Sequence, residues 1–247
     1  MENNILYGRH AVIEALKSDT EIEKVFLLQS QHPSESLHRI RRSAEDAGIP
    51  VLFAPKEKLD RLAESREHQG VVAIVSTASY TPLEEILENR KKKQLLLVLD
   101  HLEDPHNLGS LVRTADAVGV SGIVIPKRRA AGLTSGAAKA SAGAINHVPV
   151  ARITNLHQML LKLRKENYTI VGADQSADQS FQTYNYPEPL VIVVGNEHKG
   201  LSLLLKNTCH QLVKIPMSGH LDSLNVSVAG ALILYQVFMQ WNQQGAP

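Results

Sequence analysis

A single cysteine, Cys209, in 247 residues leaves no partner for an internal disulfide and excludes a multi-cysteine zinc site. Its simplest reading is a small, partly buried side chain. The 11 histidines show no metal-ligand spacing and no H-E-x-x-H occurs, so no metal centre is expected. Apolar runs are short, well under the roughly 18 to 20 residues that a membrane span needs. The opening MENNILYGRH has neither the basic region nor the apolar core of a signal peptide. These absences point to a cytoplasmic protein with no membrane contact. The formal net charge is only +1, so a nucleic-acid partner would have to meet positive charge gathered locally.

Several nucleotide and hydrolase signatures are missing as well. No G-x-G-x-x-G occurs, which argues against the usual dinucleotide site, and no G-x-S-x-G elbow presents a nucleophile. The stretch from Gly195 to Ser202 has the two glycines of a phosphate-binding P-loop at the right separation. Leu201 stands where that loop requires lysine, so the motif fails.

What the chain does have is a succession of short buried-strand signals. The first 76 residues alternate helix and strand. The spacing predicts a helix at 10–17, a strand at 24–28, a helix at 34–47, a strand at 49–53, a helix at 56–64 and a strand at 71–75. This is a small α/β sandwich with its own core. Arg39, Arg41 and Arg42 share its second helix, either as a solvated face or as a phosphate-contacting one. Residues 77–94 turn polar and charged, with Pro82 starting a short helix and Arg90-Lys91-Lys92-Lys93 ending it, and read as a linker with too little apolar surface for either core. The basic run also suits a helix C-terminus.

From residue 95 to the end, strand signals recur at 95–100, 122–126, 147–150, 169–173, 190–195 and 212–217, with helical segments between them. Continuous Val- and Ile-rich runs of this kind indicate strands buried on both faces of a mostly parallel sheet. In such sheets ligands bind beyond the carboxyl ends of the strands. The two last strands run into polar turns there, Gly195-Asn196-Glu197-His198-Lys199-Gly200 and the segment from Ser218 to Asn225.

The loop after the first of these strands, DHLEDPHNLGSLVRTADAVG (100–119), opens a helix whose stripe is Leu108, Leu111, Val112 and Ala115. Arg113 lies roughly 140° off that stripe. It is either an ordinary exposed arginine or one that faces a ligand. Lys127, Arg128 and Arg129 follow the next strand on the same side of the sheet and could extend a basic collar. Glu197 would be costly to bury without a donor. Ser223 and Asn225 are candidate N-caps as well as candidate site residues.

Taken together these stretches resemble the knotted RNA ribose methyltransferases of the SPOUT superfamily, TrmH-like, and are most similar to the bacterial 23S rRNA (guanosine-2′-O)-methyltransferases. Three motifs carry the likeness in the family's order: Asn107-Leu108-Gly109 to Arg113, Gly195-Asn196-Glu197 to Gly200, and Ile215-Pro216-Met217 with Ser223-Leu224-Asn225-Val226-Ser227. A connecting stretch, Ala140 to Ala144 before His147 to Val150, also fits. Tyr7 to Leu16 and His68-Gln69-Gly70 are similar to the subgroup's small substrate-binding domain.

Pattern and composition divide the chain into 1–76, a linker over 77–94 and 95–247; the resemblance implies that the first is an RNA-binding domain and the last the catalytic domain. It implies an N-terminal ribosomal-protein-L30e-like sandwich, a deep trefoil knot at the end of the catalytic domain, S-adenosyl-L-methionine as cofactor, an RNA substrate and a homodimer. By the same resemblance Arg113 acts on the ribose hydroxyl, and Asn107, Glu197, Ser223 and Asn225 are the other matched polar positions. Gly195, Asn196, Gly200, Ile215, Met217 and Leu224 would hold the cofactor. Asn196 and His198 occupy variable places in the second motif. tRNA ribose remains an alternative target, and a catalytically silent RNA-binding factor an alternative class.

Overall fold

The computed structural model describes residues 4–18, 20–30, 34–89, 93–196, 200–220 and 223–244. Two compact units result: residues 1–79 together with 132–135, and the remainder of the chain.

In the first unit, strands β1 (Ile5–Tyr7), β2 (Ile22–Leu28), β3 (Val51–Ala54) and β4 (Val71–Val75) form a sheet in the order β1-β4-β2-β3. Helices α1 (Arg9–Lys17), α2 (Glu35–Asp46) and α3 (Lys56–Ala63) cover it. Strand side chains alternate between faces. Val25, Leu27, Val71 and Ala73 therefore pack with Val12, Ile40 and Ala44 of α1 and α2. Phe26 and Val72 face the other way, onto Leu59 and Ala63 of α3. The sequence pattern missed β1, whose three residues are too few to show an alternation.

The two stretches that carried the N-terminal likeness meet in this unit. Arg9 donates from its backbone N–H to Gln69 Oε1 at 3.1 Å and from Nε to Gln69 O at 3.0 Å. The short segment 132–135 is a member of the same unit. Leu133 N–H donates to the buried Glu23 carboxylate at 3.2 Å, and Thr77 Oγ1 donates to Leu133 O at 2.7 Å.

In the second unit, α4 (Leu83–Glu88) corrects the linker expectation. Leu83 and Ile86 are buried in the core of this unit, so the stretch is not a free connection. Of the basic run expected to end it, residues 90–92 lie outside the described residues. Seven strands follow: β5 (Leu95–Leu99), β6 (Gly122–Pro126), β7 (Val150–Ile153), β8 (Thr169–Ala173), β9 (Gln179–Ser180), β10 (Leu190–Val194) and β11 (Gln211–Lys214). All pair in parallel, in the order β7-β6-β5-β10-β8-β11-β9.

The strand expected at 147–150 starts instead at Val150. Residues 144–146 form a 3-10 turn, and Pro149, which has no N–H to give to a ladder, can only accept, as it does from Ile123 N–H at 2.9 Å. Pro216 similarly lies beyond the end of β11, which stops at Lys214 rather than reaching Met217. β9 is two residues long and has no apolar run to announce it.

Helices α7 (Leu156–Lys165) and α8 (Leu203–Thr208) join α4 on one face, packing Leu160, Leu163 and Leu205 against Val98, Val124 and Val193. Helix α5 (Pro105–Val118) packs against α9 (Val226–Gln244), which also contacts β10, and α6 (Ser135–Ala140) lies in the connection after β6. Because β8 is inserted between β10 and β11, the turns that leave all three strands emerge side by side at one end of the sheet.

Candidate active site

A cavity of about 330 Å³ lies where those three turns converge. Its wall includes Ala173, which ends β8, with Asp174 and Gln175 after it; Val194, which ends β10, with Gly195, Asn196 and Gly200 after it; and Ile215, Ser223 and Leu224 after β11. Val226, Ala229 and Ile233 of α9 close one side. Most of this lining is apolar or small, which suits a ligand held by shape and backbone with a few polar groups for orientation.

The glycines are required by close approach. Asn196 N–H donates to Gly200 O at 3.0 Å, and Gly200 N–H donates to Asn196 O at 2.8 Å, so the loop closes on itself. A Cβ at Gly195 would sit 2.2 Å from Gly200 C and 2.3 Å from Leu201 N, a separation no real side chain tolerates. Gly200 holds φ +62°, the left-handed region that favours glycine.

Behind this loop, the carboxylate of Asp100 at the end of β5 is buried. It accepts from Ser202 N–H at 3.0 Å and lies 2.5 Å from His101 Nδ1. Asn196 Nδ2 donates to His101 O at 2.9 Å, fastening the second motif to the first strand's exit.

Between the wall residues Leu224 and Val226, Asn225 Nδ2 donates to Asn107 Oδ1 at 3.0 Å. Its own Oδ1 accepts from Ser227 N–H at 2.9 Å and Ser227 Oγ at 2.6 Å. Asn225 thus caps α9, as one of its two readings from sequence expected, and ties it to the start of α5.

Of the residues expected at the cofactor, Gly195, Asn196, Gly200, Ile215 and Leu224 line the cavity and Met217 does not. Met217 follows Pro216 past the end of β11 and is exposed. Ser223, expected as a catalytic residue, is in the wall. Asn107 is buried, and Arg113 is exposed on α5, outside the cavity lining. Glu197, with His198 and Lys199, lies outside the described residues. Lys127, Arg128 and Arg129 are exposed after β6. In the first unit Arg39 is exposed, while Arg41 pairs with Glu45 at 2.8 Å and Arg42 with Asp46 at 4.0 Å. Such exposed pairs contribute little to stability, but they offset part of the charge expected on that helix.

The sequence reading missed Asp174. Its side chain is only 5% exposed, and it pairs with Lys206 Nζ at 2.6 Å while accepting from Ser176 N–H at 2.9 Å. Burial works against the charged carboxylate, yet the donors on Lys206 and Ser176 outweigh it and hold Asp174 below its ordinary value. An acidic residue directly after a buried strand was the available signal. Cys209, by contrast, is taken out of chemistry: burial pushes its thiol up to about 12.

The profile of the SpoU rRNA Methylase family matches residues 94–235, which includes the sheet, the cavity turns and most of α9. The chain belongs to that family. A second profile, RNA 2′-O ribose methyltransferase substrate binding, matches residues 5–81 of the same SpoU-family chain. It is an RNA methyltransferase of the TrmH/SpoU type.

Relatives match along the whole length. The Bacillus subtilis protein named "Putative TrmH family tRNA/rRNA methyltransferase YacO" is 43% identical over 247 residues, 99% of this chain and 98% of that one. A Staphylococcus haemolyticus protein of the same description is 42% identical over 248 residues, 99% of each. Among solved structures, the Streptomyces viridochromogenes SpoU methyltransferase AviRb in complex with AdoMet superposes with a TM-score of 0.62 at 23% identity. It covers 97% of this chain and 90% of that one, and at this identity speaks for the fold. The A. aeolicus TrmH/SpoU tRNA modifying enzyme is 32% identical with a TM-score of 0.58, the match covering 66% of this chain and 82% of that one.

Proposed function

We propose that this SpoU-family chain transfers a methyl group from S-adenosylmethionine to a ribose 2′-hydroxyl of RNA, with a guanosine of 23S rRNA as the target. The observation that carries the reading is the cavity, formed by the second and third motifs, whose rim is tied through Asn225 and Asn107 to the first motif.

The methyl donor is S-adenosylmethionine, and the cavity fits it: small and apolar walls, a loop in which a Cβ at Gly195 would collide with backbone, and a carboxylate at Asp174. Gly195, Asn196, Gly200, Ile215 and Leu224 hold the group. When bound, the sulfonium supplies an activated methyl and its own leaving group. The protein's task is to place the hydroxyl in line and help remove its proton. Arg113, exposed on α5 six residues beyond Asn107, clamps the phosphate next to the acceptor and steers the hydroxyl, a task that suits a planar guanidinium able to grip phosphate bidentately. Asn107, Ser223 and Asn225 keep the α5 and α9 starts in register, and Glu197 belongs with them by its place in the second motif.

The first unit, L30e-like in this reading, presents RNA through residues such as Arg39, Arg41 and Arg42, and Lys127 to Arg129 add positive charge at the sheet's carboxyl end. The turns around β10, β11 and α9 form the deep trefoil knot, a rare topology taken from the family likeness. The protein works in the cytoplasm; among the described residues no helix is long and apolar enough to cross a membrane.

The chain acts as a homodimer. One face of α9 buries Ile233, Leu234 and Val237, while Val228, Leu232, Tyr235 and Met239 form a second apolar stripe that stays 41% to 55% exposed. A second copy would cover that stripe. Light scattering at micromolar concentration should give twice the chain mass; a monomer would remove the dimer from the proposal.

A tRNA ribose is the second reading, favoured by the tRNA and rRNA wording shared by the relatives' names. One experiment separates the readings. The protein is incubated with labelled S-adenosylmethionine and either ribosomal RNA or tRNA, and the methylated ribose is mapped by mass spectrometry. Label on a guanosine 2′-oxygen of 23S rRNA is expected. Label confined to tRNA moves the target, and no label in any RNA with no cofactor binding overturns the proposal.

A further inference from the structure

Asp174 is the one charged residue in the cavity wall among the described residues, and the roles assigned so far do not use it. It directly follows β8, in the middle of the three converging turns. One oxygen, Oδ1, accepts from Ser176 N–H at 2.9 Å and from Ser176 Oγ at 2.5 Å. The other, Oδ2, is paired with Lys206 Nζ at 2.6 Å. Oδ2 also faces the loop glycine: a Cβ built on Gly200 would lie 3.6 Å from it, in ordinary contact. The carboxylate is therefore fixed in direction by groups behind it while its rim borders the cavity.

We infer that Asp174 reads the ribose diol of the adenosyl group, accepting a hydrogen bond from its hydroxyls. The inference rests on the proposal that this cavity holds S-adenosylmethionine. Three parts of that molecule could approach a carboxylate: the sulfonium, the α-ammonium and the ribose diol. Lys206 decides among them. With an ammonium already 2.6 Å away, a second cation gains little from the pair and is repelled by Lys206, whereas neutral hydroxyl donors meet no such repulsion. Each carboxylate oxygen has about two acceptor sites, so a hydroxyl can be added to the bonds from Lys206 and Ser176. Fixing the acceptor beforehand, as these bonds do, reduces the ordering cost on binding.

The test is calorimetric and needs no turnover. S-adenosylhomocysteine and its 2′,3′-dideoxy counterpart are titrated into the full-length protein and into Asp174→Asn. The wild type should prefer the diol ligand by about tenfold or more, the size expected of a hydrogen bond to a charged group, and Asp174→Asn should lose that preference while binding the dideoxy ligand as before. If Asp174→Asn does not fold, Asp174→Glu keeps the charge opposite Lys206 but displaces the oxygens, and the same loss of preference is expected. A wild type that binds both ligands equally, or a variant that weakens both alike, overturns the inference and assigns Asp174 to structure. Ala229→Trp, which fills the cavity from α9, separates the two levels. Its loss of all binding with an unchanged fold supports the cavity as the cofactor site, and full binding by this variant overturns that reading and the inference with it.

Discussion

Arg113→Ala should fold and bind S-adenosylhomocysteine as the parent does, yet lose methyl transfer by roughly 10² to 10⁴-fold, the range expected for a group that positions or deprotonates a reacting hydroxyl. The first half follows from where the residue stands. Arg113 is exposed on α5, outside both the buried stripe of that helix and the cavity lining, and surface substitutions of this kind usually shift stability by less than about 0.5 kcal/mol. The second half follows from its motif. Asn107 at the start of the same helix is hydrogen-bonded to Asn225, which lies between the cavity-wall residues Leu224 and Val226, so α5 is held in a fixed relation to the proposed methyl donor. Arg113→Lys tests the form of the contact. A point charge cannot reproduce a bidentate grip on phosphate, and partial rescue at best is expected. Turnover by Arg113→Ala equal to the parent on correctly mapped RNA would remove the residue from the mechanism.

Gly195→Ala should abolish cofactor binding at concentrations that saturate the parent. The added Cβ would meet Gly200 C, Leu201 N and Gly200 O at 2.2, 2.3 and 2.4 Å. All three are backbone atoms, so no side chain can swing aside. The loop must open, breaking the paired hydrogen bonds between Asn196 and Gly200 and shifting a wall of the cavity. Overpacking of this kind costs about 1 to 3 kcal/mol in stability, and the displaced wall removes the ligand's shape. Gly200→Ala is the informative comparison. There the difficulty is φ +62° rather than collision, a strain of about 1 to 2 kcal/mol, so binding should weaken without vanishing. Calorimetry with S-adenosylhomocysteine decides; parent-like affinity in Gly195→Ala would mean that this loop does not form the wall of the cofactor site.

The strands that make the site were legible because a buried parallel strand leaves an uninterrupted apolar run. β5, β6, β8 and β10 therefore lie within a residue of the spans read from pattern. Boundaries slipped where proline intervened: β7 begins after Pro149 and β11 ends before Pro216. α4 was read as linker because its polar residues outnumber Leu83 and Ile86, and composition averages over a segment where burial depends on two side chains. Along the cavity, the motif residues were readable from family likeness. Asp174 and Ile233 were not, because what brings them together is the insertion of β8 between β10 and β11 and the return of α9 beside them. No local spacing encodes such an adjacency. Met217 shows the converse, a motif position whose side chain lies outside the cavity lining.

The membership of residues 132–135 in the first unit bears on how this chain can be taken apart. A fragment ending at residue 79 would contain the first sheet and its helices but would lack Leu133, whose N–H serves Glu23 and whose carbonyl serves Thr77. The first unit is thus not a module that one cut releases. A graft onto another catalytic half would have to carry over four residues encoded more than fifty positions downstream, so recombination between relatives preserves this unit only when both crossovers respect a clasp that the linear order of the chain conceals.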